Sequence, residues 1–475
     1  MKFCRRETLL IVVAAMGAAG FGCSPASPGP EVRLPAVFST SVLIRNTSVL
    51  DVESGTLRRG RDVLLEDGII AAIEPHGALS GDIVIEATGT TLVPGLIDMH
   101  GHVGASSAPT WQRSFPNPAA NLRAYAYAGI TSVFDPGDGS DDAFSRRDRV
   151  ARRELVGPRI FTAGPLLTCP GGHPIAMVNE LAPWWIAWYI VGLSAIPIAD
   201  EAAAQQAVNE IADNGADAIK IAIDSIPLDA PRMPSEIAAA VVESANSRGL
   251  RVVAHIGTTQ DALVAGEAGV ALWVHGIYKE RIPDDQIQQL ADFGIPMVAT
   301  LEVFDQYVRN RQGPMRPTRL ERETVPASQL ASFWPIPDDL ELGGLEAWLD
   351  LAAQSMEARS DNVRRLHEAG VTILAGSDTQ MGVFPGAGLH RELAQLVRAG
   401  LTPVEAIRAA TLDPARWLAA GSEPDFGSID VGKRADLLLV EGDPRADIGA
   451  LQNIREVFLA GARIERKPVA RPAER

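Results

Sequence analysis

From residue 93 onward the chain repeats one cadence, a short apolar run followed by a longer stretch with apolar positions at helical spacing. The runs are Val93 to Met99, Ile130 to Phe134, Arg159 to Ala163, Ala218 to Ile223, Arg251 to Ala254, Ala271 to Val274, Ile295 to Thr300 and Val371 to Ala375. Short continuous apolar runs suit strands buried on both faces, and the three-to-four-residue period of Glu201 to Asn214, Pro234 to Arg248 and Asp261 to Ala268 suits amphipathic helices. Eight strands alternating with helices predict an α/β fold, a closed (β/α)8 barrel of the TIM type over residues 93–420.

The two ends of the folded chain carry a different pattern. Val42 to Ile44, Asp62 to Leu65, Ile69 to Ile73 and Ile83 to Ile85 are short β-branched runs broken by turns such as Ser54-Gly55 and Asp67-Gly68. Gly427 to Ile429, Ala435 to Val440 and Val457 to Gly461 repeat that pattern near the C-terminus. The barrel is therefore expected to be inserted into a small β-sandwich domain built from residues 37–92 and 421–467. Two insertions break the barrel spacing. Gly171 to Pro197 holds Trp184, Trp185, Trp188 and Tyr189, and Leu301 to about Gly344 holds Phe333-Trp334. Loops after barrel strands gather on one face, where such barrels keep their sites.

At the N-terminus, Lys2, Arg5 and Arg6 precede the apolar stretch Leu9 to Gly22 and then Cys23. That order predicts an export signal over residues 1–22, of lipoprotein type with Cys23 acylated or of twin-arginine type through Arg5-Arg6. An ordinary cleaved signal peptide is the third reading. Residues 23–36, rich in Ser and Pro, read as a tether, and the expected location is the periplasm or a membrane-anchored lipoprotein. With Cys4 removed and Cys23 acylated, Cys169 remains as a buried thiol and no internal disulfide is expected.

Composition changes this picture little. At 46% hydrophobic and 21% charged residues the chain is an ordinary folded protein. Its 59 acidic against 43 basic residues, a net charge of −16, argue against a nucleic-acid partner. The histidines change it more. His100 and His102 close the first predicted strand, His255 the fifth and His275 the sixth; Asp378 closes the eighth, and Lys220 lies among apolar residues in the fourth. A barrel brings these strand ends to one rim, and residues two apart on a strand share a side, so His100 and His102 can grip one ion. Taken singly, each has a structural alternative: a satisfied polar group for the histidines, a paired or snorkelling cation for Lys220. Together on one face they point to a metal site of imidazole and carboxylate ligands. His76, His367 and His390 fall off the strand ends and read as structural.

Val93-Pro94-Gly95-Leu96-Ile97-Asp98-Met99-His100-Gly101-His102 closely resembles the opening motif of the metal-dependent amidohydrolase superfamily. Gly129 to Gly137, Gly157-Pro158-Arg159-Ile160, Gly171-Gly172-His173, Gly215 to Ile221, Ala375 to Asp378, Leu401 to Ala406 and Gly432 to Leu437 are similar to its imidazolonepropionase-like and prolidase-like branch. The resemblance implies a metal-dependent hydrolase of carbon–nitrogen bonds acting on a small-molecule amide, such as a dipeptide or N-acyl amino acid. It implies two divalent ions, zinc the expected metal: His100, His102 and Asp378 on one, His255 and His275 on the other, and a carboxylated Lys220 bridging them. A single ion with Lys220 uncarboxylated is the alternative. It further implies that metal-bound hydroxide attacks the carbonyl, with Asp378 as general base and then acid.

His173 and Tyr278 are candidate substrate or oxyanion contacts, with loop hydrogen bonding and packing as their alternatives. Arg309, Arg311, Arg316 and Arg319 stand where a substrate carboxylate could be captured, or in a solvated loop. The tryptophans of the first insertion can roof a substrate, pack on the barrel wall or touch a membrane. Otherwise a membrane contact is expected only through the N-terminal lipid anchor, and the oligomeric state is left open. Two other readings compete: an esterase, lactonase or phosphoesterase on the same metals, and an inactive, metal-bearing binding lipoprotein.

Overall fold

The computed structural model describes residues 28–35, 41–112, 114–138 and 142–469; the expected signal segment, with Cys4 and Cys23, lies outside them. Each of the eight apolar runs forms a strand: β1 (Leu96–Asp98), β2 (Ile130–Asp135), β3 (Arg159–Thr162), β4 (Ile219–Ala222), β5 (Val252–His255), β6 (Leu272–Val274), β7 (Met297–Val298) and β8 (Ile373–Leu374). All pair in parallel, β1 to β3 as one ladder and β4 to β8 as another. Two backbone bonds close the circle: Asp217 N to Thr162 O at 2.9 Å joins β3 to β4, and Met99 N to Ala375 O at 3.0 Å joins β8 back to β1. The result is a closed (β/α)8 barrel.

Strand alternation divides the side chains between two cores. Ile97, Phe134, Val253, Leu272, Val298 and Leu374 fill the interior of the barrel. Ile219, Ile221, Ala254 and Trp273 point outward and pack under helices such as Glu201–Asp213 and Ser235–Ser247. In β4 this parity leaves Lys220 facing inward between two outward isoleucines. Short strands bracket the first insertion, Leu166–Thr168 just before it and Ala195–Pro197 at its end, and pair with each other; the first also pairs with β4. Between them run the helices Ile175–Leu181 and Trp184–Ser194.

The small β-unit joins both chain ends. Leu437–Glu441 lies antiparallel to Thr90–Pro94, with Leu439 opposite Leu92, and the ladder continues through Val42–Leu50 and Leu57–Glu66 to Ile69–Pro75. Its two layers are halves of one curled sheet: the far edge returns to the C-terminal segment through Ile70 N to Lys433 O and Ala435 N to Gly68 O, both 2.9 Å. Val42, Ile44, Val63, Leu92, Leu437 and Phe458 belong to the core between the layers. Within the segment read as tether, Glu31–Arg33 forms a strand antiparallel to Glu465–Lys467, held by burial of Val32 and by Arg123 Nε donating to Pro30 O at 2.9 Å.

The crossing from sheet to barrel is fixed at Gly95, whose N–H donates to Asp436 O at 2.8 Å. A Cβ at this position would overlap the Thr131 side chain. Gly95→Ala is therefore expected to cost about 1–3 kcal/mol of stability in urea unfolding, as overpacking does. Adding Thr131→Ala should recover part of that loss. A neutral Gly95→Ala would mean that the crossing is looser than this packing requires.

Candidate metal centre

The inward parity of β4 and β5 carries Lys220 and His255 toward the barrel mouth, where the ends of β1, β6 and β8 bring His100, His102, His275 and Asp378. The imidazoles form a chain. Ring centroids are 5.0 Å apart for His102 and His100, 4.5 Å for His100 and His275, and 4.1 Å for His275 and His255. His173, from the first insertion, extends it at 4.6 Å from His255. Asp378 sits against three of them. Its Oδ1 lies 3.1 Å from His102 Nε2 and 3.7 Å from His100 Nε2, and its Oδ2 lies 3.5 Å from His275 Nδ1. Donor atoms of His100, His275 and Asp378 fall within 4.8 Å of one another, close enough for one ion to take all three.

Several buried nitrogens here are unused. Among the described residues, Lys220 Nζ, His100 Nδ1 and His173 Nδ1 make no hydrogen bond. Each such orphan costs about 1–3 kcal/mol. An unpaired imidazole nitrogen on His100, with His275 and the Asp378 carboxylate beside it, fits a divalent cation, whose ligands are imidazole nitrogens and carboxylate oxygens. Backbone strain gathers at the same place. His275 (φ +79°) and Asp378 (φ +52°) both occupy the left-handed region, which non-glycine residues rarely enter. Asp378 N to His100 O at 2.6 Å and His275 N to Val298 O at 3.0 Å hold them there.

Burial pushes the Lys220 amine down to about 7, with Asp378 pulling weakly the other way. Burial also holds His173 and His275 well below the usual histidine range, neighbouring His255 adding to it; for His100 the added push comes first from Lys220. His102 goes the opposite way. Burial disfavours its charge, but Asp135 and Asp378 on either side outweigh that and hold it up to about 10. Asp224 lies below the usual carboxylate range, because His255 and Lys279 overcome the effect of burial.

Three carboxylates that the strand-end histidine pattern did not single out, Asp98, Asp135 and Asp224, support this cluster. Asp98 ties the two ends of the barrel together: its carboxylate accepts from His100 N at 3.1 Å, Ser377 N at 2.9 Å and Ser377 Oγ. Burial pushes it up to about 6 against those bonds. Asp135, the last residue of β2, lies 3.7 Å from His102 Nδ1 and accepts from Val103 N at 2.9 Å. Asp224, two residues past β4, accepts from Lys279 Nζ at 2.6 Å and Tyr278 Oη at 2.7 Å and lies 3.3 Å from His255 Nε2. Applied to carboxylates, the strand-end rule that picked out the histidines finds Asp135 and Asp224.

His173 and Tyr278 are both at the centre, in different situations. His173 offers a free ring nitrogen. Tyr278 is 1% exposed, stacks on Phe304 at 4.0 Å, donates to Asp224 and accepts from Trp348 Nε1 at 2.9 Å. His76, His367 and His390 pair elsewhere, with Asp62, Glu405 and Ala128 O. Arg309, Arg311 and Arg319 pair with Glu302, Asp350 and Glu323 respectively. Cys169 is buried, its thiol on Pro231 O at 3.5 Å.

Residues 91–464 match the family model described as Amidohydrolase family. The chain is 27% identical over 401 residues to an uncharacterized protein of Mycobacterium tuberculosis, covering 83% of this chain and 90% of the relative. It is 25% identical over 471 residues to ochratoxinase of Aspergillus niger, covering 90% and 87%. Among solved structures it is similar to a Xaa-Pro dipeptidase with methionine bound in its active site, at 25% identity and a TM-score of 0.71, covering 89% of this chain and 99% of that one.

A lysine whose folded pKa is depressed binds fewer protons folded than unfolded between the two values, so it adds stability as pH rises through that window. For Lys220 the window runs from about 7 up to the ordinary lysine value. In the metal-free protein, the stability of the parent minus that of Lys220→Met should climb from pH 7 to pH 10, by up to about 1.4 kcal/mol per pH unit. A flat difference in urea unfolding would show that the amine is solvated.

Proposed function

We propose, from the premise that this chain belongs to the Amidohydrolase family and is a hydrolase acting on carbon–nitrogen bonds, that it cleaves a small amide at the mouth of its barrel. The observation that carries the reading is the meeting of His100, His102, Lys220, His255, His275 and Asp378 at one buried point. We assign His100, His102 and Asp378 to one divalent ion and His255 and His275 to a second, zinc in both cases, with Lys220 as the bridging carbamate. Bound there, the ions would polarise the scissile carbonyl and acidify a water molecule.

The chain's own groups do the rest. Carbamate formation needs a neutral amine, and burial supplies it in Lys220. Asp378 takes the proton of the attacking water and returns it to the leaving nitrogen, its carboxylate aimed by the Ser377-Asp378 backbone that Asp98 anchors. His173, neutral at pH 7 and with a free ring nitrogen, steadies the negative charge that develops on the carbonyl oxygen. Tyr278 would have to give up its bond to Asp224 to touch substrate, so we assign it to holding Asp224 in place.

The similarity to a Xaa-Pro dipeptidase with methionine bound in its active site favours an amide bearing a free carboxylate, a dipeptide or N-acyl amino acid, as the substrate class. The N-terminal motif favours an exported, lipid-anchored enzyme. One observation supports a second reading with a single ion: His100, His275 and Asp378 already converge, whereas His255 Nε2 faces Asp224 at 3.3 Å.

Elemental analysis of protein purified without chelator, beside a panel of dipeptides, N-acyl amino acids and esters, tests the proposal. About two divalent ions per chain, falling in Lys220→Ala, with amide turnover that Asp378→Asn lowers by about 10²–10⁴-fold, is the expected result. One ion, unchanged in Lys220→Ala, would establish the single-ion site. No divalent metal after incubation with zinc, or turnover of esters alone, would overturn the amide proposal.

A further inference from the structure

Among the described residues, eleven large hydrophobic side chains are left open to solvent: Ile69, Ile83, Val84 and Val431 are scattered on the curled sheet and its turns, Met356 opens the helix Met356–Glu368, and the other six are Phe115, Trp184, Trp185, Trp188, Leu228 and Trp334. All six stand on segments that follow barrel strands β1, β3, β4 and β7, on the rim that carries the metal cluster. Trp184 is 88% and Trp188 65% exposed. The helix that bears them, Trp184–Ser194, has no charged residue and buries only Ile186 and Ala187. Single exposed hydrophobics are ordinary, but a contiguous group marks an interaction surface.

The segments touch one another. Trp111 Nε1 donates to Ser332 O at 3.1 Å, joining the stretch before Phe115 to the stretch before Trp334. Gly343 and Gly344 lie against Glu180 and Pro227, joining the second insertion to the first and to the loop of Leu228. The described chain also begins on this rim, where Pro28 and Gly29 line one groove with Ser106, Ser107, Phe115 and Gln329. From Cys23 to Pro28 is five residue steps, a reach of at most about 18 Å. Just before Cys23 stands the apolar stretch Leu9 to Gly22. Whatever holds the N-terminus to a membrane therefore holds this rim close to it.

We propose that the rim of the barrel mouth docks on the surface of a lipid bilayer, with Trp184 and Trp188 seated in its interfacial zone. Tryptophan favours that zone for its amphipathic ring; the Trp188 indole N–H is already satisfied by Trp185 O at 3.0 Å, so its exposed face is the apolar ring. The helix carries no cations and the whole chain is at −16, so the attraction is for neutral lipid and owes nothing to anionic headgroups. This is a second membrane contact beside the lipid anchor, and it does not depend on the amide chemistry proposed above.

Hydrogen exchange of the full chain carrying Cys23→Ser, which has no acyl group, with and without phosphatidylcholine vesicles, tests the surface. Vesicles are expected to slow exchange several-fold in the helix Trp184–Ser194 and around Phe115 and Trp334, and to leave the curled sheet unchanged. In Trp184→Ser/Trp188→Ser, at an unchanged thermal midpoint, that slowing should vanish. Unchanged exchange at the rim would overturn the proposal even if the vesicles capture the chain by its N-terminal segment. So would equal slowing in the variant. Slowing that needs no vesicles and grows with protein concentration would give the surface to a second copy of the chain.

Discussion

The seam between the first and last barrel strands carries the whole arrangement. Met99 N on Ala375 O and Asp378 N on His100 O join segments from opposite ends of the barrel sequence. The Asp98 carboxylate locks the same seam, holding His100 N on one side and Ser377 on the other. If the seam opened, Asp378 would part from His100, and the buried carboxylate of Asp98 would lose the bonds that offset its burial. Closure of the barrel and assembly of the site are thus one event. Burial pushes Asp98 up to about 6, in keeping with a seam that excludes water.

The polar groups at the barrel mouth are costly in isolation, and their cost is what makes them useful. A lysine held near pKa 7, two residues at positive φ and two imidazoles each with an unpaired nitrogen would each weaken a small domain. Here they rest on two apolar layers, one inside the strands and one beneath the helices, with a separate core in the curled sheet. A chain of this length can carry such a cluster because its buried area grows faster than its exposed surface. The strain falls where ligand bonds would relieve it, in keeping with the usual concentration of such departures at functional sites.

Much of this was legible in the sequence because barrel strands are buried on both faces. Continuous apolar runs therefore marked all eight, and a polar residue at the end of a run stood out, as His255 does after Val252-Val253-Ala254. What did not show were pairings that depend on distant partners. Asp224 is one carboxylate among many until the fold brings Lys279 and Tyr278 to it, and Glu31–Arg33 looks like tether until Glu465–Lys467 lies beside it. The positive φ of His275 and Asp378 was hidden for another reason. Glycine announces such a conformation, whereas His and Asp reach it only because the surrounding backbone bonds insist.

On the metal assignment proposed above, Asp224 bears on whether the site would take one ion or two. In the structure its carboxylate lies 3.3 Å from His255 Nε2, so that nitrogen is already engaged. A buried carboxylate deprived of its partners would be expensive, and His255 would then be trapped where it is. It has other partners, however: Lys279 Nζ at 2.6 Å, Tyr278 Oη at 2.7 Å and Ser225 N at 2.7 Å remain if His255 turns. Trp348 donates to Tyr278 and keeps that hydroxyl aimed at the acid. If His255 binds an ion as proposed, Asp224 would therefore not be left as a bare buried charge. The Lys279–Asp224 pair is the part of the centre that keeps this carboxylate compensated whichever way His255 faces.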